Sequence, residues 1–171
     1  MVIWIIGLSG AGKTTLAELV TKRLRQSGRT VVLLDGDSIR ELFRNDVDHS
    51  IEGRRVNAER ISKLTKFISD QKVDVVAAVL SIFPEWRKWN RENISEYYEV
   101  YLRASMDTLV RRETKNLYAR ALKGEIKNVV GIDISFPEPA AADIVIDNNL
   151  DRIDFDTLVT QIVNYKNSGV D

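Results

Sequence analysis

Apolar residues along this chain fall into two regimes, short unbroken runs and longer stretches where they recur every third or fourth position. The runs lie at 2–6, 31–34, 73–80, 97–102 and 144–146. They are β-branched or aromatic and strand-length, which predicts buried strands. The helically spaced stretches lie between them, at 14–26, 38–44, 54–70, 86–93 and 106–113, with 155–166 after the last run. Strands alternating with helices predict an α/β fold: a parallel sheet of five strands with helices on both faces. One domain spans 1–171, and nothing in it reads as a linker or low-complexity tract.

In such a sheet ligands gather beyond the C-terminal ends of the strands. That rule singles out 7–14, Asp35-Gly36-Asp37, 81–91 and Arg103. The first of these, Gly7-Leu8-Ser9-Gly10-Ala11-Gly12-Lys13-Thr14, matches the phosphate-loop pattern G-x-x-x-x-G-K-[ST] between a strand and a helix, the context the pattern requires. Gly7, Gly10 and Gly12 let backbone N–H groups converge on phosphate oxygens, at a helix N-terminus that adds partial positive charge. Lys13 is expected to reach the β- and γ-phosphates of ATP, and the Thr14 hydroxyl to ligate Mg²⁺; Ser9, Ala11 and Thr15 complete the nucleotide site.

After the second strand, Asp35 and Asp37 flank a glycine, and Arg40 follows. A carboxylate there suits accepting a proton from an attacking hydroxyl or holding the metal's water shell, and the arginine suits an anionic acceptor. The same residues suit a helix N-cap formed by Asp37 or Ser38. The stretch from Arg54 to Arg60 places cations at the start of a predicted helix, where they oppose the dipole unless an anion sits there; it also reads as a solvated face with a Glu59–Lys63 pair. In the cluster 86–91 the tryptophans read as core, and Arg87 and Arg91 as clamps for a phosphate or sulfuryl-like group. Residues 115–139 read as a mobile lid, with Lys115, Arg120, Lys123 and Lys127 suited to closing over polyphosphate.

Composition narrows the ligand. The 25 basic and 25 acidic residues cancel, so no global field recruits nucleic acid or an anionic membrane, and a small nucleotide bound locally is the expected partner. The chain has no cysteine, which removes disulfides, thiolate metal sites and cysteine nucleophiles. The N-terminal apolar run is too short to span a membrane and has no basic leader, so a cytoplasmic protein is expected. His49 is the single histidine and lies in a polar loop, where residue type alone gives it no role.

GLSGAGKTT, DGDSIR, the Arg54 and Asn57 pair, the cationic 87–91 cluster, and above all the run from Leu117 to Asn128 with Gly131-Ile132-Asp133 resemble the adenylylsulfate (APS) kinases. The likeness covers nearly the whole chain, and its lid motif is more specific than the phosphate loop. It implies transfer of the γ-phosphate of ATP to the ribose 3′-hydroxyl of a nucleotide. By the resemblance, Lys13, Asp35 and Asp37 are catalytic, Asp35 joins Thr14 around Mg²⁺, and Arg112 lies against the ATP adenine. Arg40, Arg54, Asn57, the backbone near Ser81, and Lys127 bind the acceptor, and the enzyme is a homodimer.

Two departures bear on the acceptor. Where the family has an aromatic residue on each side of the acceptor's adenine, this chain has His49 and Val129. Base stacking contributes on the order of 1–3 kcal/mol per ring, so the exchange weakens an adenine acceptor by at least about tenfold. Relatives in bacterial capsule pathways phosphorylate cytidine diphosphoramidate, and the resemblance extends to them; a pyrimidine acceptor accounts for both substitutions. Adenylylsulfate is the alternative.

Overall fold

Every residue of Val2–Ile6 (β1) is buried, because this strand has a parallel neighbour on each side and helices over both faces. In the computed structural model, which describes residues 1–112, 116–149 and 154–165, β1 pairs with Asp74–Val79 (β3) and Tyr97–Arg103 (β4). Val31–Asp35 (β2) lies outside β3, and Ile144–Asp147 (β5) lies outside β4. The five-stranded sheet is therefore wholly parallel, in the order β2-β3-β1-β4-β5.

The two-residue period of β1 divides the core. Ile3 and Ile5 face Leu16, Ala17, Val20 and Leu24 of Lys13–Gln26 (α1). Val2, Trp4 and Ile6 face the other way, toward Ile61 of Ile51–Asp70 (α3). Phe155–Tyr165 (α7) adds Val159 and Ile162 to the α1 side.

The expected strands are all present, and the helices differ mainly at their ends. Gly36–Leu42 (α2) starts two residues before 38, because its N-cap is Asp35 and not Asp37 or Ser38: the Asp35 carboxylate accepts from the Asp37 N–H at 2.9 Å. The third helix opens at Ile51 instead of 54, with Ser50 as its cap and Glu52 in its first turn. That correction removes the argument from cations at a positive helix end, since a serine cap and an acidic residue already answer the dipole.

Pro84–Asn93 (α4) and Met106–Arg112 (α5) follow β3 and β4. Glu113, Lys115 and Lys166, expected in the fifth helix, the lid and the last helix, lie outside the described residues. Between β4 and β5, Leu117–Leu122 (α6) leads into a bridge between Val130 and Ile134. Tyr118, Val129, Val130 and Ile134 are buried, so this segment packs on the body of the domain at several points. Among the described residues no helix is long and apolar enough to cross a membrane.

Candidate active site

The turn from β1 into α1 is built for close approach. A Cβ on Gly7 would lie 2.7 Å from the Leu102 carbonyl oxygen of β4, so only glycine fits where the chain leaves the sheet. Gly12 ends the turn at φ 93°, the left-handed region, and caps α1 with no side chain. No acidic residue stands in the first turn. Lacking a side-chain cap, the N-terminal N–H groups of α1 are left to an anion.

Lys13 curls over this turn, its Nζ donating to the Leu8 carbonyl at 2.9 Å. Desolvation lowers its pKa to about 8, against the opposing pull of Asp35 and Asp37. Ser9 is half-buried, Gly10 and Thr15 are exposed and Ala11 is fully buried beneath the loop.

The end of β2 brings Asp35 across to this helix. Its Oδ2 accepts from the Thr14 hydroxyl at 3.0 Å, while its Oδ1 holds the α2 N-terminus. A hydroxyl and a carboxylate oxygen side by side are the hard donors that Mg²⁺ takes, with water and nucleotide phosphates filling its remaining positions. No group of three or more His, Cys, Asp or Glu side chains able to hold a metal occurs among the described residues.

Asp37 is exposed one residue beyond α2's start. Its charge acts on Lys13, Arg40, His49 and Arg54 together, which places it at the junction of the two halves of the site. Arg40 is 7% exposed and donates through Nη1 to the Val47 and Asp48 carbonyls at 3.2 and 2.9 Å, shaping the loop that carries His49. Desolvation is the main cause lowering its pKa.

Arg54 reaches from α3 in two directions, Nε to the His49 carbonyl at 2.9 Å and Nη2 to the Asn128 carbonyl at 2.8 Å. It thereby joins the His49 loop to the segment after α6. The imidazole of His49 is pushed below its ordinary pKa by desolvation and by Arg40 and Arg54, against Asp37 and Asp48, so it is neutral at pH 7. Asn57 is buried, with Nδ2 on the Gly36 carbonyl at 3.2 Å and an Oδ1 that has no partner.

The remaining expected site residues are placed differently from one another. Ser81 follows β3 at φ 55° and is tied inward, its hydroxyl accepting from Trp4 Nε1 at 3.0 Å and its carbonyl from Arg87 at 3.2 Å. Lys127 is exposed beyond α6. Val129 is not on an open wall: its side chain is buried in the α1-side core, and its N–H donates to Asp133 at 2.6 Å.

Arg87 and Arg91 are not anion clamps. Arg87 is buried on the Ser81 and Pro137 carbonyls, and Arg91 pairs with Asp143 at 3.0 Å. Trp86 and Trp89 are half-buried and meet edge to face, so neither is a full core residue. Arg55 and Arg60 are paired with Glu85 and Asp46, Lys63 with Glu59, and Arg120 with Glu125 at 3.4 Å. Of the cations near the start of α3, Arg54 alone turns toward the site.

Arg112 lies on the donor side, its Nη1 donating to Asn148 at the backbone carbonyl (2.7 Å) and at Oδ1 (3.0 Å). Two residues that contact the phosphate loop were not singled out by motif. Tyr118 donates its hydroxyl to the Ser9 carbonyl at 2.8 Å, and Asn148 donates Nδ2 to the Ala11 carbonyl at 2.7 Å. The strand-end rule points to Asn148, which directly follows β5; Tyr118 has no local signal beyond its place in the lid motif.

A profile of the adenylylsulphate kinase family matches residues 1–147. The chain is similar to the cytidine diphosphoramidate kinase of Campylobacter jejuni, 38% identical over 148 residues that cover 86% of each protein. It is also similar to a probable adenylyl-sulfate kinase of Archaeoglobus fulgidus, 36% identical over 148 residues, 86% of this chain and 96% of that one. Among solved structures, the APS kinase of Mycobacterium tuberculosis in complex with AMPPNP and APS superposes with a TM-score of 0.87 at 30% identity, covering 98% of this chain and 97% of that one. A phosphate loop of this geometry, a facing carboxylate and a match over most of the chain lead to one conclusion: the protein belongs to the adenylylsulfate kinase family and is an ATP-dependent, Mg²⁺-using kinase.

Proposed function

We propose that this kinase phosphorylates the ribose 3′-hydroxyl of a small nucleotide, with cytidine diphosphoramidate as its preferred acceptor. The observation that carries the reading is the convergence of Asp37, Arg40, His49 and Arg54 next to the Thr14–Asp35 pair, which puts one exposed carboxylate between a phosphate loop and a cationic recess. The acceptor preference is supported by His49, an imidazole where the family has a phenylalanine, and by likeness to a kinase named for cytidine diphosphoramidate.

In this reading Asp37 takes the proton of the 3′-hydroxyl as its oxygen bonds the γ-phosphorus, and the bond to the β,γ-bridging oxygen breaks to leave ADP. Lys13 and the α1 N-terminus neutralise the charge that gathers on the phosphoryl oxygens. Bound at Thr14 and Asp35, Mg²⁺ supplies further neutralisation. Arg40 and Arg54 hold the acceptor's anionic group, and Asn57, the Ser81 backbone and Lys127 line its path. The segment 116–139 acts as a lid, and the enzyme works as a homodimer, which light scattering checks.

The test is a direct comparison of purified protein with MgATP and either cytidine diphosphoramidate or adenylylsulfate. The expected result is a higher kcat/KM for the cytidine compound, with the new phosphate located on the 3′ oxygen by NMR. Efficient turnover of adenylylsulfate with no activity on the cytidine compound assigns the protein to sulfate activation instead.

A further inference from the structure

Asn148 immediately follows β5 and is 3% exposed. Its backbone N–H donates to the Arg103 carbonyl at 2.7 Å, fixing it to the end of β4. Its side chain faces two ways, Nδ2 to the Ala11 carbonyl inside the phosphate loop at 2.7 Å and Oδ1 to Arg112 Nη1 at 3.0 Å. The amide orientation is fixed by its partners, since the opposite assignment would set an oxygen against a carbonyl and an NH₂ against a guanidinium. The fit is close as well: a Cβ on Gly12 would lie 3.3 Å from Asn148 Nδ2.

Ala11 is fully buried, so the bond from Asn148 to its carbonyl holds the loop from the interior. Arg112 is held from the same residue through both its carbonyl and its amide oxygen. We propose that Asn148 is a positioning residue of the donor site, whose side-chain amide and backbone carbonyl together set the phosphate loop and Arg112 at a fixed separation and so align the two ends of ATP. The Arg112 half of this rests on the reading of that arginine as the adenine-side residue. The loop half does not.

Binding of the Mg²⁺ complex of AMPPNP, measured by calorimetry, tests this without need of the acceptor. Asn148→Ala leaves the buried Ala11 carbonyl unpaired and removes one of the two contacts that Arg112 makes with this residue, and is expected to weaken AMPPNP binding about tenfold. Combined with Arg112→Ala, the loss is expected to be well short of the product of the two single losses, because both remove the same alignment. Asn148→Asp, which keeps the volume and the acceptor for Arg112 but loses the donor to Ala11, replaces the alanine variant if that one does not fold. AMPPNP affinity within twofold of the parent protein in the folded Asn148 variant overturns the proposal, as does a double variant whose loss equals the product. Unchanged affinity in Arg112→Ala alongside a tenfold loss at Asn148 withdraws the adenine-side reading and sustains the loop-positioning role.

Discussion

Thr14 and Asp35 sit 3.0 Å apart, hydroxyl to carboxylate, and the same carboxylate also caps α2. One aspartate thus sets α1 and α2 against each other. Asp35→Asn retains an oxygen for the cap but not the charge beside the metal position, so phosphoryl transfer is expected to fall by about two orders of magnitude with the melting temperature nearly unchanged. Asp35→Ala loses the cap too, at a cost of about 1 kcal/mol in a urea titration.

Asp37 has no such double duty. Replacing it with alanine is expected to reduce kcat by about 10²–10⁴, the usual contribution of a positioned base, and to leave AMPPNP affinity intact. Calorimetry alongside a steady-state assay separates the two effects.

His49→Phe puts a phenyl ring in place of the imidazole at the proposed acceptor site. The expected outcome is a gain of about tenfold in kcat/KM for adenylylsulfate relative to the parent protein, the smaller end of what one stacking face contributes. A competition assay with both acceptors shows the change in preference directly.

Gly7 has no room for a side chain. With the Leu102 oxygen 2.7 Å from the position of an added Cβ, Gly7→Ala forces β1 and β4 apart at their C-terminal ends. A destabilisation of about 1–3 kcal/mol is expected, accompanied by weaker AMPPNP binding because the displaced backbone is the start of the phosphate loop.

Glu99 is buried in β4, accepts from the Tyr97 hydroxyl at 3.1 Å and lies 3.5 Å from Arg91. Desolvation raises its pKa above the ordinary carboxylate value, with Arg91 and the Tyr97 bond only partly offsetting it. A raised acid pKa means the folded state holds its proton more tightly than the unfolded chain. The associated stability is complete below the unfolded value, near 4.5, and is lost as pH rises through the folded value. Glu99→Gln, which keeps an acceptor for Tyr97, is expected to remove this loss, so its advantage over the parent protein in urea titrations is larger at pH 7.5 than at pH 4.5.

The strands and the donor loop were legible because their signals are local: an unbroken apolar run, a glycine turn, a lysine and a threonine in fixed order. The order β2-β3-β1-β4-β5 is not local, and no periodicity in the chain contains it. Ion pairing was the least legible feature. Arg54, Arg55 and Arg60 look alike in sequence, yet Arg55 is matched by Glu85 from another helix and Arg60 by Asp46 from a loop, which leaves Arg54 at the site. Ser50 and Glu52 mark the true start of α3 but lie in a polar stretch that read as loop. Val129 shows a further limit, since comparison of motifs ties it to a base-binding position while its side chain is buried in the core.

The central place of β1 divides the candidate site into two groups of residues. The phosphate loop, Arg112 and Asn148 hang from β1, β4 and β5, while Asp35, Arg40, His49, Arg54 and Ser81 belong to the β2 and β3 side. On the proposed assignment of the acceptor to the second group, exchange of the α2–α3 connection redirects the product to another metabolite while the fuel stays the same.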